Sequence, residues 1–540
     1  MRNMQIRRST RNRFAEEPSV RIGRSQFDWS KNRKMSFLAG YLTPIYLEEI
    51  MPGTTLTLRT TGFARIFSPL DSPVMDNIEV QTYFFFVPCR LVWDNWKYFM
   101  GQHDDAGAQD TDYTVPVLAT GLTVDHGDDT TVHGLAAYFG LPDAMTSATT
   151  APNALPFRAY NLIYNQWFRD QNLIDEVIVT KGNGPDTLSN YAVKKGAKKH
   201  DYFTSALPYL QKGDAQSAPL SAADGSGTVS VAANVAAGEN PSIYSTALSD
   251  FYQLDADQPK VDLSVTQDAD GSERMHILTS QLLVDINALR LSVAYQRLLE
   301  RDARGGTRYV ELIKSHFGVT NPDFRLQRSE YLGGGRSYIN ISPVANTSGV
   351  DSTQSISTND EPQGELRGVA AGTITGGFAK SFTEHGYVIG LIRARGDVTY
   401  FQGIQKMWTR SSRFDFYIPA LAHLGEQAIL NRELYNQNGG TNTSVFGYQE
   451  RWAEYRSRPS EVVGKFNPDT PGSLSFWHLA EDFALPPSLN SSFIEDQTGT
   501  SMTRVKTVTT AVDFIADIRF DVKAALPMPV RSIPSLTGRL

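Results

Sequence analysis

The residues with most capacity for chemistry in this 540-residue chain are nine histidines, one cysteine and a cluster of aspartates. Between Tyr98 and Phe157 there is no Lys or Arg, yet Asp104, Asp105, Asp110, Asp112, Asp125, Asp128, Asp129 and Asp143 occur there. Their oxygens could hold a hard cation such as calcium, but the Asp-x-Asp-x-Asp-Gly order of a dedicated loop is missing. A solvated acidic face or loop is the simpler account, and cation binding stays open. The histidines form no His-Glu-x-x-His and no helical metal pair; Trp477-His478 and Glu384-His385 read as ordinary core or surface positions. Cys89, beside Pro88 at the end of an apolar strand, is a poor nucleophile, and Gly-x-Ser-x-Gly is absent. Gly333-Gly334-Gly335-Arg336 lacks the flanking strand and helix of a phosphate loop and reads as a tight turn. Paired glycosidase carboxylates could meet only in three dimensions, with no positive support in the sequence. These residues predict neither an enzyme nor a cofactor.

The basic residues are the second group of candidates. Residues 1–34 hold ten (Arg2, Arg7, Arg8, Arg11, Arg13, Arg21, Arg24, Lys31, Arg33, Lys34) against Glu16, Glu17 and Asp28, so the segment is 10 − 3 = +7. The whole chain is −7, which leaves −7 − 7 = −14 for the rest. A charge block of this kind marks an interaction tail. With Phe14, Phe27 and Trp29 interleaved, Arg7, Arg8, Arg11 and Arg13 are candidates for contact with single-stranded nucleic acid or with neighbouring protein subunits. The two readings are evenly matched.

Elements that could position these groups follow from periodicity. Val512, Phe514, Ala516, Ile518, Phe520 and Val522 alternate with polar or outward positions, the mark of a half-buried antiparallel strand. Ile78 to Val87 alternates and then becomes apolar on both faces, and Tyr387 to Ala394 reads as a strand covered on both sides. Leu56 and Leu58 open another strand, punctuated by Pro52-Gly53. Strand signals are strong towards both ends of the chain and sparse between. Asn153 and Pro156 start a helix carrying Phe157, Tyr160, Tyr164 and Trp167. A second helix is predicted with Leu282, Ile286, Leu289 and Val293 on one stripe, Arg301 and Arg304 in its last turn and a stop at Gly305-Gly306. Asp214 to Asp270, rich in Ala, Ser and Gly with Lys260 as its only base, reads as an exposed insertion with short strands of its own.

Composition, with 41% hydrophobic and 11% aromatic residues, is that of a large globular protein. The length exceeds one ordinary core of roughly 250–300 residues, so it predicts several domains or one core with long insertions. No apolar run approaches the ~18 residues of a membrane helix. The N-terminal arginines lack a following apolar region, so a secretory signal is not expected. A single cysteine suits a reducing cytoplasm and predicts no intrachain disulfide or zinc clip. No repeat of fixed period occurs, which argues against propellers and solenoids.

Several long, unusual segments resemble the major capsid protein of gokushoviruses, small icosahedral single-stranded DNA phages of the Microviridae. They are Phe446–Pro459 (FGYQERWAEYRSRP), Leu298–Tyr309 (LLERDARGGTRY), Phe317–Gly335 (FGVTNPDFRLQRSEYLGGG), Asp76–Met100 (containing FFFVPCRLVWDNWKYFM), Asp201–Gly213 (DYFTSALPYLQKG) and Arg413–Gly425 (RFDFYIPALAHLG). The resemblance runs along most of the chain. It implies a mainly β fold, an eight-stranded antiparallel viral jelly roll with large helical and loop insertions. It further implies a structural protein of the virion, assembled in the host bacterial cytoplasm as a T=1 icosahedral shell of 60 copies around circular single-stranded DNA. The partners implied are that genome, a small basic DNA-binding protein, an internal scaffolding protein, a DNA pilot protein and a host surface receptor, with a glycan as one candidate.

In this frame residues 1–52 are a basic N-terminal arm and entry segment, 53–213 the first part of the jelly roll, and 280–540 a helical insertion with the remainder of the roll. Residues 214–279 are the variable insertion thought to build threefold protrusions. Arg451, Trp452, Tyr455 and Arg456 are the interface candidates; Trp452, Tyr455 and Trp408 could be exposed anchors, although for any one of them a core aromatic is the better reading. Sixty bodies of −14 outweigh sixty arms of +7, so an inner wall locally basic and an outer face acidic are expected. The rivals are a jelly-roll carbohydrate-binding or carbohydrate-active protein and a DNA-binding protein that forms no shell.

Overall fold

The computed structural model describes residues 23–100, 102, 113–142, 151–213, 286–304, 315, 322, 327–345, 347, 366–437 and 440–531, with six short strands between 220 and 284. Two compact units share the chain, Met1–Pro208 with Val319–Leu540, and Tyr209–Gly318.

The first unit is built on one antiparallel sheet of nine strands: β1 (Ser25–Asp28), β2 (Lys31–Phe37), β3 (Thr43–Ile50), β4 (Thr55–Ile66), β5 (Ile78–Pro88), β6 (Glu330–Ala345), β7 (Leu366–Ser381), β8 (Gly386–Gly396) and β9 (Phe514–Leu526). Their spatial order is β1-β9-β4-β7-β6-β5-β8-β3, with β2 also on β9. β1 and β2 keep one register along β9, Ser25 opposite Leu526 and Phe37 opposite Phe514, so they form a single edge strand broken at Trp29-Ser30. Counted that way there are eight strands, and the first pairs with the eighth, the second with the seventh, the third with the sixth and the fourth with the fifth. A long hairpin with these pairs, rolled up so that β9 also meets β4, β8 meets β5 and β6 meets β7, is the jelly roll. The expected fold is therefore observed.

The inside of the roll is one apolar core, to which Phe37, Tyr46, Phe84, Ile374, Ile392, Phe514, Ile518 and Phe520 belong. The opposite face of β5 and β8 meets a second core, where Phe85, Val87, Ile389 and Leu391 pack with Trp93, Leu135, Phe157, Tyr160 and Ile163 of the helical insertion. This is why β5 and β8 are apolar on both sides, while β9, covered once, alternates. The helix Leu155–Ile163 starts where expected: the Asn153 side chain accepts the Leu155 N–H at 2.8 Å and Pro156 lies in the first turn. Tyr164–Phe168 continues it as a π-helical turn.

Four expectations need correction. The glycines 333–335 make no tight turn; they lie inside β6, beside a bulge between Tyr331 and Gly333. A Cβ on Gly334 would lie 2.0 Å from the Thr82 carbonyl oxygen, and one on Gly335 1.9 Å from that of Thr375, so close strand approach demands them. The two longest strands, β6 and β7 with 16 residues each, lie mid-chain, where strand signals were sparse. The basic segment is not all arm. Residues 25–37 are sheet, Phe27 and Trp29 pack on the core, and Lys31 and Lys34 pair with Glu48 and Asp517 at 2.9 and 3.0 Å. Residues 1–22, outside the described residues, keep six arginines and two glutamates, 6 − 2 = +4.

The fourth correction lies in the second unit, whose helix runs Ile286–Arg304. Leu282 is not on its stripe but in the strand Leu282–Val284, paired with Leu220–Ala222. Leu289 and Val293 are exposed. Arg301 and Arg304 occupy the last turn as expected. Among the described residues no helix is long and apolar enough to cross a membrane.

Candidate functional site

Three of the residues that could have supported chemistry, His478, Cys89 and Asp128, are in structural use. His478 is buried, its Nε2 2.7 Å from the Phe466 carbonyl oxygen and its Nδ1 accepting the Ala480 N–H at 3.1 Å. Cys89 opens the short helix Cys89–Val92, and burial pushes its thiol up to about 12, with the carboxylates of Glu49 and Glu384 adding to the shift. Asp128 accepts the N–H groups of Thr130 and Thr131 at 2.9 and 3.0 Å, shaping the loop that enters the helix Val132–Tyr138. Among the described residues no three His, Cys, Asp or Glu side chains converge as a metal centre would require.

What the fold does present is an aromatic and arginine face built between β8 and β9. Its base is the antiparallel pair Glu426–Leu430 and Val445–Glu450 and the parallel pair Thr399–Tyr400 and Ser460–Glu461. Tyr202, Phe203, Tyr400, Ile429, Leu434, Phe446 and Phe493 form a small core beneath. Burial, reinforced by a carboxylate partner, raises two phenols there: Tyr400 donates to Asp201 at 2.8 Å and Tyr202 to Glu433 at 3.0 Å.

Trp452 organises the upper layer, and of the two readings open for it the structure shows the core aromatic and not the exposed anchor. Only 4% of it is accessible, its φ is +69°, and its indole N–H donates to the Leu421 carbonyl oxygen at 3.0 Å. Tyr417 packs edge-on at 5.7 Å and Tyr455 tilted at 6.1 Å. The Arg451 guanidinium lies 4.8 Å over the Trp452 ring, with a buried Nε that has no hydrogen-bond partner. Tyr455 is exposed, and its hydroxyl accepts from Arg410. Arg410 also pairs with Glu454 at 3.1 Å and sits 4.4 Å over the Tyr455 ring. Arg456 pairs with Glu450 at an exposed position, where such contacts contribute little.

Around this layer Met407, Trp408, Phe414, Phe416, Tyr417 and Val463 are exposed, Trp408 to 75%. Exposed apolar side chains gathered in one region are of the kind that a protein contact covers. The structure thus gathers Arg451, Trp452, Tyr455, Arg456 and Trp408 in one region, while Arg7, Arg8, Arg11 and Arg13 lie outside the described residues. Sequence reasoning missed Arg410, Phe414, Phe416 and Tyr417. The signal for the three aromatics was present in RFDFYIPALAHLG, an apolar stretch without strand or helix periodicity, while Arg410 lies before it and gave none.

A rolled eight-stranded sheet with an exposed aromatic face defines a jelly-roll protein. Comparison with known proteins makes the class specific. The profile of the family described as "Capsid protein (F protein)" matches residues 15–536. Capsid protein VP1 of Bdellovibrio phage phiMH2K is 44% identical over 98% of this chain and 99% of its own length. Capsid protein VP1 of Chlamydia phage 1 is 36% identical (97% and 98%), and that of Spiroplasma virus 4 is 34% identical (95% and 96%). The chain belongs to the phage F capsid protein family, and the resemblance to gokushovirus capsid proteins is borne out. It is a structural protein of the virion, which self-assembles into a shell, and not an enzyme.

Proposed function

We propose that 60 copies of the chain form a T=1 icosahedral shell around circular single-stranded DNA, assembled in the cytoplasm of the host bacterium, and that the shell takes part in host attachment. The observation that carries the reading is a jelly roll bearing a broad exposed aromatic face in a capsid family. A shell subunit functions by burying complementary patches against its neighbours.

The arm residues Arg7, Arg8, Arg11 and Arg13 are then contacts to DNA or to neighbouring subunits, and residues 214–279 the threefold protrusion that meets a host receptor. Because 60 copies of a −7 chain repel DNA, the reading requires cations on the inner wall or a small basic protein beside the genome. Scaffolding and pilot proteins complete the set of partners.

Electron microscopy of purified particles tests this. Closed spheres with icosahedral symmetry and nuclease-protected circular single-stranded DNA are expected. A chain that stays monomeric at every concentration, or particles of another copy number, overturns it.

A further inference from the structure

Next to Trp408 the aromatic face has a hollow. Its wall includes Tyr400, Met407, Arg410, Tyr455 and Val463, and it encloses a cavity of about 190 Å³. Arg410 is nine-tenths buried, and its Nε, enclosed with it, has no hydrogen-bond partner. Trp408, by contrast, leaves most of its indole in water. It is carried by the single 3₁₀ turn Lys406–Thr409, which also supplies Lys406 and Met407 to the wall of the hollow.

A projecting indole and a hollow whose wall sets aromatic and aliphatic side chains beside the Arg410–Glu454 ion pair are complementary in chemistry. A Trp ring in an apolar pocket buries 150–250 Å², and a guanidinium against an indole adds cation–π attraction. Trp, Tyr and Arg are also the residues in which interface energy concentrates. The turn that bears Trp408 is itself part of the wall through Lys406 and Met407, while the Trp408 side chain is not.

Two copies facing each other across a twofold axis satisfy both features at once, because projection and hollow lie side by side on one surface. We propose that Trp408 inserts into the Tyr400–Val463 hollow of a second copy of this chain, and receives that copy's Trp408 in return. This rests on the shell reading and adds to it the residues of one contact and its symmetry. The wall carries both signs, with Lys406 and Arg458 beside Glu454 and Glu461, which a self-complementary contact requires.

The test replaces Trp408 by the photo-reactive amino acid benzoylphenylalanine in chains of two isotopic compositions, mixed before assembly. Irradiated particles are expected to give mixed-isotope cross-links from position 408 to the segment 400–463. On a denaturing gel the cross-linked species should stop at the dimer, because a mutual exchange is closed. Cross-links confined to one isotope, or directed elsewhere, overturn the insertion; a ladder of higher oligomers overturns the twofold.

Trp408→Ala should raise the concentration needed for assembly roughly 30-fold, as the loss of one hot spot does, with the unfolding midpoint of the dissociated chain unchanged. Assembly at the unaltered concentration would sink the proposal. Particles of the unaltered chain separate the two readings: if they form and cross-links fail, only the twofold insertion falls, and if they never form, the shell reading falls with it.

Discussion

Arg158 and Asp186 face each other with neither side chain in contact with water. Nε donates to Oδ2 at 2.7 Å and Nη2 to Oδ1 at 2.6 Å, a two-pronged pair, while Nη1 donates to the Val92 carbonyl oxygen at 3.0 Å. The Tyr191 hydroxyl adds a further bond to Asp186. The pair ties the helix Leu155–Ile163 to the 186–191 loop and to the segment after β5. Arg158→Met strands a buried carboxylate, and a loss of about 3–5 kcal/mol is expected. Urea unfolding of the dissociated chain measures it, and a change below about 1 kcal/mol would contradict the assignment. Arg158→Met combined with Asp186→Leu should recover part of the loss.

The glycines of β6 make a sharper prediction because two carbonyl oxygens occupy the space that a methyl group needs. Gly335→Ala should cost more than about 3 kcal/mol and abolish soluble protein. Gly182→Ala has nothing within 4 Å of the new atom, so it should be neutral or stabilise by up to about 1 kcal/mol. Equal yields of the two variants would show that the strands can part at low cost.

Cys89 gives a pH dependence. Its folded value, about 12, lies above the ordinary 9.0. The raised value favours the protonated thiol in the folded chain, so its contribution to stability is complete below pH 9.0 and is lost as pH climbs towards about 12. Tyr164, raised by burial to about 12, acts in the same direction. Unfolding midpoints should therefore fall between pH 9 and 12, and Cys89→Ser should flatten part of that slope. At pH 8 a thiol reagent should label Cys89 only after denaturation; labelling of the native chain would refute the burial.

Trp452→Phe keeps a ring between Tyr417 and Tyr455 but removes the bond to the Leu421 carbonyl. A loss of about 1 kcal/mol is expected, together with faster hydrogen exchange at 413–425. Trp452→Ala should cost about 3–5 kcal/mol. If both variants unfold like the parent, Trp452 does not organise the face.

Replacing residues 214–279 by a short linker should leave the unit of residues 1–208 and 319–540 folded, with its circular-dichroism strand signal and melting midpoint retained. Particles of that variant should lose attachment or threefold contacts. The strand Leu282–Val284 loses its partner in this variant, so the change is confined to the second unit. Loss of soluble protein would place the segment in the core.

The strands that were readable from sequence are those whose environment is simple. β9 alternates because one face is wet, and the runs Tyr83–Val87 of β5 and Tyr387–Ile392 of β8 are apolar on both faces because two cores enclose them. β6 and β7 were not readable: glycines forced by close approach weaken the strand pattern, and long-range pairing supplies what propensity does not. Lys31 and Lys34 read as part of a charged tail because their partners, Glu48 and Asp517, lie 17 and 483 positions away. At the aromatic face the depth of each ring was open in the sequence. Trp452 and Trp408 are indistinguishable as letters, and only tertiary packing decides that one is enclosed and the other projects.

The pairing of the first strand with the eighth has a consequence in time. Lys31–Phe37 leaves the ribosome long before Phe514–Leu526, its partner, exists. At roughly 5–20 residues per second the gap is roughly half a minute to a minute and a half. Throughout that interval the inner face of the roll has no lid along one side, and a nascent chain cannot display a finished subunit surface. A chain ended before residue 514 lacks the strand whose Phe514 and Phe520 rings pack on Phe37 and Tyr46, so its inner face stays open for good.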